Sequence, residues 1–482
     1  MKRIVPVLTA LILFITASGI AYALQFKTHV SEFNVTDTTN SDNLKQTLQG
    51  ILSSRLSPDL VQLVESPEQA DLLVIGSYAQ FGKMFSLDVL IKNRGNGSLV
   101  KVFEQGESRE DVIPAVGRLA RKIDAELAKA PARPASIPSP AASQPPVKDN
   151  YIIVPPAQDV AGSWSSAPLD GVFSSIAMGR TIASGERELF IAGEQTIRAY
   201  RKGTELRLVA ETTIPSPGKI LAIDTADLDR DGSPELYVTI IDRGSPSSRV
   251  YQFDGAAFVM TAQNLPWFFR GIGHAPASRT IYTQELDRDG RYYGDVKELS
   301  KSKSGLTTGT ALKLPHAGNI FNFIRLSSTS GKENSVVLDE DGYLVTYSYD
   351  GSESWKSSEK YGGSETFFTN EFQSRSRSTK DLDRWTFLSQ RILLLKDGTL
   401  IIPRNEGALS FGNIRAYNTH TLFAFELSGA VLKEKWHTRQ LPGYLADYAF
   451  DETSGEVITL VVSQKPGIFI KGKSVISINS IK

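Results

Sequence analysis

The chain of 482 residues carries 53 basic and 53 acidic side chains, so its formal net charge is zero, and it contains no cysteine. That balance excludes a global field drawing in nucleic acid or an anionic membrane. The missing thiols exclude disulfides, thiolate catalysis and thiolate metal sites, and leave stability to apolar cores and to ions held by oxygen.

Lys2 and Arg3 precede an apolar run over 4–15, and Ala21-Tyr22-Ala23 is a small-x-small cleavage site. Residues 1–23 therefore read as a signal peptide, the alternative being an uncleaved anchor. No later segment approaches the ~20 apolar residues of a membrane span, so none is expected once the signal is removed. Export without cysteine places the protein in the bacterial periplasm, at the cell surface or outside the cell.

Residues 24–130 read as a small α/β domain. Ser41 or Asp42 caps a helix with Leu44, Leu48, Ile51, Leu52 and Leu56 on one face. Strands are expected at 26–35, 71–80, 86–92 and 99–104, the last two around the turn residues 93–97. A second helix from about Glu110 carries Val112, Val116, Leu119, Ile123 and Leu127, with Pro114 in its first turn. The order is β-α-β-β-β-α once a short strand at Val61 is set aside. Residues 131–150 form a Pro/Ala/Ser-rich linker, too proline-dense for helix or sheet.

From 151 to 482 short strands and turns dominate, and the fold class is mainly β. Gly203, Gly255, Gly305 and Gly351 each follow a strand-like run and recur at intervals of about 50 residues, the length of a four-stranded propeller blade. Gly429 comes after a longer step, which an insertion near 362–384 explains, and Gly472 completes the series. Six turns predict a β-propeller of six blades, with room for a seventh before Arg180 or in the long step. A β-sandwich pair and a β-helix are the alternatives.

Asp227-Leu228-Asp229-Arg230-Asp231-Gly232-Ser233-Pro234-Glu235 places carboxylates at positions 1, 3, 5 and 9 and glycine at 6. Alternation in a tight loop aims hard oxygens at one point, which suits Ca²⁺, with the Ser233 carbonyl as a further ligand. Position 12 is Val238 and the flanks are strands, so this is no EF-hand. Glu285-Leu286-Asp287-Arg288-Asp289-Gly290 repeats the spacing but has Tyr293 at position 9, making Glu285, Asp287 and Asp289 a weaker second loop. Asp339-Glu340-Asp341-Gly342 reads as a hairpin turn, and 446–451 as an eroded copy without glycine.

The stretch 226–238 resembles the FG-GAP or VCBS repeat of integrin-α-like propellers. The resemblance implies a loop between blade strands and a structural Ca²⁺ on Asp227, Asp229, Asp231, Ser233 and Glu235. The layout, with phrases such as 70–78, is similar to TolB- and CsgG-type envelope proteins with their small α/β domain. The five histidines lack zinc spacing, and neither H-E-x-x-H nor G-x-S-x-G occurs. No catalytic residues and no organic cofactor are predicted. Trp267, Trp355, Trp385 and Trp436 read as packing residues, and the basic run 375–384 as a solvated loop. The expected function is a cell-envelope binding or scaffold protein with a protein or glycan partner. The alternatives are a polysaccharide hydrolase or lyase with an axial pocket, and a subunit of an envelope export or assembly complex.

Overall fold

The computed structural model describes residues 25–36, 41–81, 84–94, 99–129, 152–153, 163–287, 292–302, 305–327, 333–369, 385–407, 409–411, 414–466 and 471–481. The signal peptide, the whole linker 131–150, residues 288–291 of the second acidic loop and the basic run 375–384 lie outside the described residues. The chain divides into two compact units, Met1–Pro131 and Ala132–Lys482.

In the first unit, Phe26–Val30 lies between Val61–Leu63 and Leu72–Phe81, parallel to both. Met84–Asn93 and Leu99–Gly106 extend the sheet antiparallel. The helices Ser41–Arg55 and Val112–Leu127 bury the residues their spacing selects, among them Leu48, Leu52, Val116, Leu119 and Ile123. The short strand at Val61, set aside in the sequence reading, forms one edge of the sheet.

The second unit is a six-bladed β-propeller. The first blade runs through Phe173–Thr181, Arg187–Gly193, Thr196–Lys202 and Leu206–Thr213 in simple antiparallel order. The second uses Lys219–Ala226, Glu235–Asp242, Ser248–Phe253 and Phe258–Leu265, and the third Phe268–Ile272, Thr280–Leu286, Tyr292–Ser302 and Gly305–Leu312. The fourth comprises Phe323–Ser327, Glu333–Leu338, Tyr343–Tyr347 and Glu353–Lys360. In the fifth, Leu393–Leu394, Leu400–Glu406, Thr419–Ser428 and Val431–Thr438 are joined by Ile152–Ile153 at the outer edge.

The sixth blade takes only three strands from the C-terminal end: Tyr444–Asp451, Glu456–Gln464 and Lys473–Ser480. Its fourth is Ser163–Ser165, which pairs antiparallel with Lys473–Ser480 through Ser477↔Ser165, Ile478↔Trp164 and Asn479↔Ser163. Ser166 N–H donates to the Ile476 carbonyl at 2.9 Å, and Gly171 N–H to the Gly472 carbonyl at 2.8 Å. This closure accounts for the segment where a seventh blade had room. It also explains why Gly472 breaks the pattern. The other five recurring glycines turn the third strand into the fourth, whereas Gly472 lies between the second and third strands, because the fourth comes from elsewhere.

The long step between Gly351 and Gly429 contains two additions. One is the small pair Phe367–Phe368 with Thr386–Phe387, and the other is the hairpin of Leu409–Phe411 with Ile414–Ala416. The apolar cores lie between blades, not within them. Phe190 with Ile223, Tyr237 with Phe269, and Phe323 with Tyr282 fill successive gaps. Ile324 with Phe423, Ile401 with Tyr448, and Ile458 with Ile176 complete the circle. No helix among the described residues is long and apolar enough to cross a membrane.

Deleting 163–170 should expose the edge of Lys473–Ser480 and lower the melting temperature on the order of 5 °C, with self-association visible by size-exclusion chromatography. Equal melting of the deleted and full chains would show that the closing strand adds nothing.

Candidate functional site

The acidic loop joins the first and second strands of the second blade, held at its base by the pair Ala226↔Glu235. Its turn needs left-handed backbone at two positions, Arg230 with φ 59° and Gly232 with φ 85°. Asp227 closes the loop from within. Its carboxylate accepts the backbone N–H of Asp231 at 3.0 Å and of Gly232 at 2.9 Å. Asp231 in turn accepts the Ser233 N–H at 2.7 Å. One carboxylate oxygen from each of Asp227, Asp229 and Asp231 lies within 4.8 Å of the other two, so the predicted convergence is present for these three.

Glu235 does not belong to that trio. Its side chain is fully buried and pairs with the Lys301 ammonium, which also lies 2.5 Å from Asp229 Oδ2. Lys301 comes from the third strand of the third blade, so the loop of one blade is tied to the next by a side-chain cation. Hydrogen bonding to Lys301 holds Asp229 below the usual carboxylate range. Burial raises Glu235 despite the same partner. Burial alone would lower Lys301, but the two carboxylates together hold it above its ordinary value. The Ser233 hydroxyl accepts a hydrogen bond from Arg180 at 3.1 Å.

Of the weaker loop, Glu285 and Asp287 are described and Asp289 is not. Asp339 caps a hairpin turn by accepting the N–H groups of Asp341 and Tyr343 at 3.0 and 2.8 Å, with the Lys356 ammonium at 2.7 Å. The eroded copy is a different kind of element. Its Asp447 sits on the innermost strand of the sixth blade and faces the propeller axis.

A polar network that the sequence reading did not anticipate fills that axis. The Arg391 guanidinium lies 2.5 Å from Asp224 Oδ1 on the second blade and donates from Nε to Asp447 Oδ1 at 3.1 Å. Asp447 also accepts the Ser175 hydroxyl at 2.8 Å and the Ile176 N–H at 3.1 Å, so the first, second and sixth blades meet there. The Tyr448 hydroxyl lies 2.6 and 2.7 Å from the carbonyl oxygens of Arg391 and Ile401, between which its one proton is shared. Burial would raise the Asp447 carboxyl, but Arg391 and its neighbours hold it below the usual range. The remaining axial cavity has a volume of about 30 Å³ and is lined from the inner strands of all six blades. Gly271 lets this wall close: a Cβ there would lie 2.6 Å from Arg279 Cδ and 3.2 Å from Asp224.

No short-range signal marks Arg391, whose partners Asp224 and Asp447 are 167 and 56 residues away. The available hint is a charged residue heading the apolar run Ile392-Leu393-Leu394-Leu395.

A ring of six four-stranded blades with an acidic turn in one of them defines a β-propeller protein. Within that class, residues 183–238 match the family model of the FG-GAP-like repeat, a stretch that runs from the first blade through the acidic loop. Among solved structures, the chain is similar to TolB from Acinetobacter baumannii, with 9% identity, a TM-score of 0.30 and 96% of each chain covered. It is similar to a protein from Lactobacillus plantarum, with 16% identity, a TM-score of 0.31, and 61% of this chain and 77% of that one covered. It is also similar to the Dos1 propeller, with 9% identity, a TM-score of 0.30, and 84% and 76% covered. No curated protein matches the sequence.

Replacing Arg391 with Met should cost about 3–5 kcal/mol, because Asp224 and Asp447 would stay buried without their partner. In the parent the depressed Asp447 contributes stability above the unfolded carboxylate range, lost as pH falls through the folded value. Without Arg391, burial dominates and the sign reverses. Chemical denaturation should therefore find the variant's deficit narrowing from pH 7 to pH 5, whereas a constant deficit would place the damage outside the carboxylates.

Proposed function

We propose that this is a binding or scaffold protein of the bacterial cell envelope, exported by its N-terminal signal. The propeller presents its loops to a protein or glycan partner. The carrying observation is the filled axis: about 30 Å³ between buried side chains has no room for a sugar ring, which disfavours axial polysaccharide chemistry and leaves the outer loops as the binding surface.

In this reading Ca²⁺ is a structural tie. The trio Asp227, Asp229 and Asp231 fits a hard cation by donor type and convergence, with the Ser233 carbonyl and water completing the shell. Glu235 stays with Lys301, so the proposed ligand set is smaller than the family resemblance implies. Lys301 and the ion compete for Asp229. The charge of the ion would fix the loop and, through it, the face the second blade presents.

Millimolar Ca²⁺ should raise the melting temperature relative to chelator, by about 1.4 kcal/mol of stability at ten times the dissociation constant. Asp229→Ala should remove the response. Lys301→Met should melt lower without Ca²⁺, by about 3 kcal/mol from the unpaired buried Glu235, yet respond more strongly to the ion. Identical melting of the parent in Ca²⁺ and chelator would defeat the metal assignment. The binding reading is tested by photo-crosslinkers placed in the inter-blade loops of the full chain in intact cells. A specific adduct supports it. Turnover of a polysaccharide by purified protein, with no adduct at any loop, would overturn it.

A further inference from the structure

The axial cavity is lined by charged side chains of both signs, and one of its cations lacks a partner. Arg270, Arg279 and Arg391 line it together with Asp224, and Asp447 stands behind Arg391. Glu452 lines the cavity as well, so three guanidinium groups face three carboxylates, and what distinguishes them is how each is paired. His274 and Glu452 sit at the rim, 3.4 Å apart, and Glu452 also accepts the Lys396 N–H at 2.9 Å. Arg391 is satisfied by both aspartates, and Arg279 donates to the Thr225 carbonyl and hydroxyl at 3.1 and 3.2 Å.

Arg270 has no such partner. It projects from the innermost strand of the third blade and is 7% exposed. Among the described residues its guanidinium makes no hydrogen bond, and its described side-chain contact is the Phe321 ring, 5.9 Å away at the centroid. A guanidinium offers five N–H donors, and burying them without an acceptor is costly. Burial, aided by Arg391, pulls Arg270 down to about 10, which still leaves it charged at neutral pH.

We propose that the propeller axis is a binding site for one small monatomic anion of the halide class, held by Arg270 within the axial cavity. A halide needs no fixed donor geometry, fits a space of about 30 Å³, and gives the Arg270 guanidinium an acceptor of opposite charge. Water is the competing occupant. One molecule donating to Asp224 Oδ2, which is buried without a donor, and accepting from Arg270 would satisfy both groups but leave Arg270 without a hydrogen-bonded counter-charge. The site is separate from the acidic loop and takes the opposite charge, so it stands or falls independently of Ca²⁺.

The test is diffraction from crystals of the full chain in sodium bromide at the bromine absorption edge. An anomalous peak within hydrogen-bond distance of the Arg270 guanidinium is expected. Density in the cavity without an anomalous signal would identify water and overturn the proposal. In solution, exchanging sodium gluconate for sodium chloride at constant ionic strength and in chelator should raise the melting temperature saturably, by about 2 °C. Arg270→Met should abolish that difference. Equal melting of the parent in the two salts would also overturn the proposal, and the bromide result decides even where the variant does not fold.

Discussion

One guanidinium holds the centre of this propeller. Each blade satisfies its own backbone by antiparallel pairing and buries its faces against its neighbours, but the six inner strands still surround a space that no single blade can fill. Arg391 fills it by reaching Asp224 on the second blade and Asp447 on the sixth, while Ser175 of the first blade donates to the same Asp447. An apolar plug would only pack. A forked cation with two carboxylates also fixes which strands face one another, because other pairings would leave a buried charge alone.

The same device recurs at the outer ends of the inner strands. Lys301 of the third blade pairs with Asp229 and Glu235 of the second. Arg187 of the first blade lies 3.1 Å from Asp451 and 2.8 Å from Glu456 of the sixth. In both places a basic side chain from the following blade meets the acidic turn of the preceding one. A turn that resembles a metal-holding loop thus has two of its carboxylates met by a protein cation.

Much of this was legible in the chain. Turn glycines announced the blade repeat, because a tight hairpin demands a left-handed residue wherever it recurs, and Gly255, Gly305, Gly351 and Gly429 all have positive φ. The alternation from Asp227 to Asp231 announced the convergence of three carboxylates, a local geometric consequence of the loop. What escaped was non-local. Glu235 reads as a ligand by position, and only the neighbouring blade reveals Lys301. Asp447 reads as a decayed turn, and only the closed ring brings it to Arg391. Ser163–Ser165 is too short and too plain to announce a strand, since its pairing rests on an edge at the other end of the propeller.

That last pairing sets an order of events. Ser165 and its partner Ser477 are separated by 312 residues. During synthesis, the segment that seals the ring emerges early and must wait, unpaired, until almost the whole chain has followed. Every intermediate length is an open arc with a bare strand edge at one end. Locking is therefore a single late step, and a nascent or broken chain lacking its final strand cannot reach it however well its earlier blades have formed.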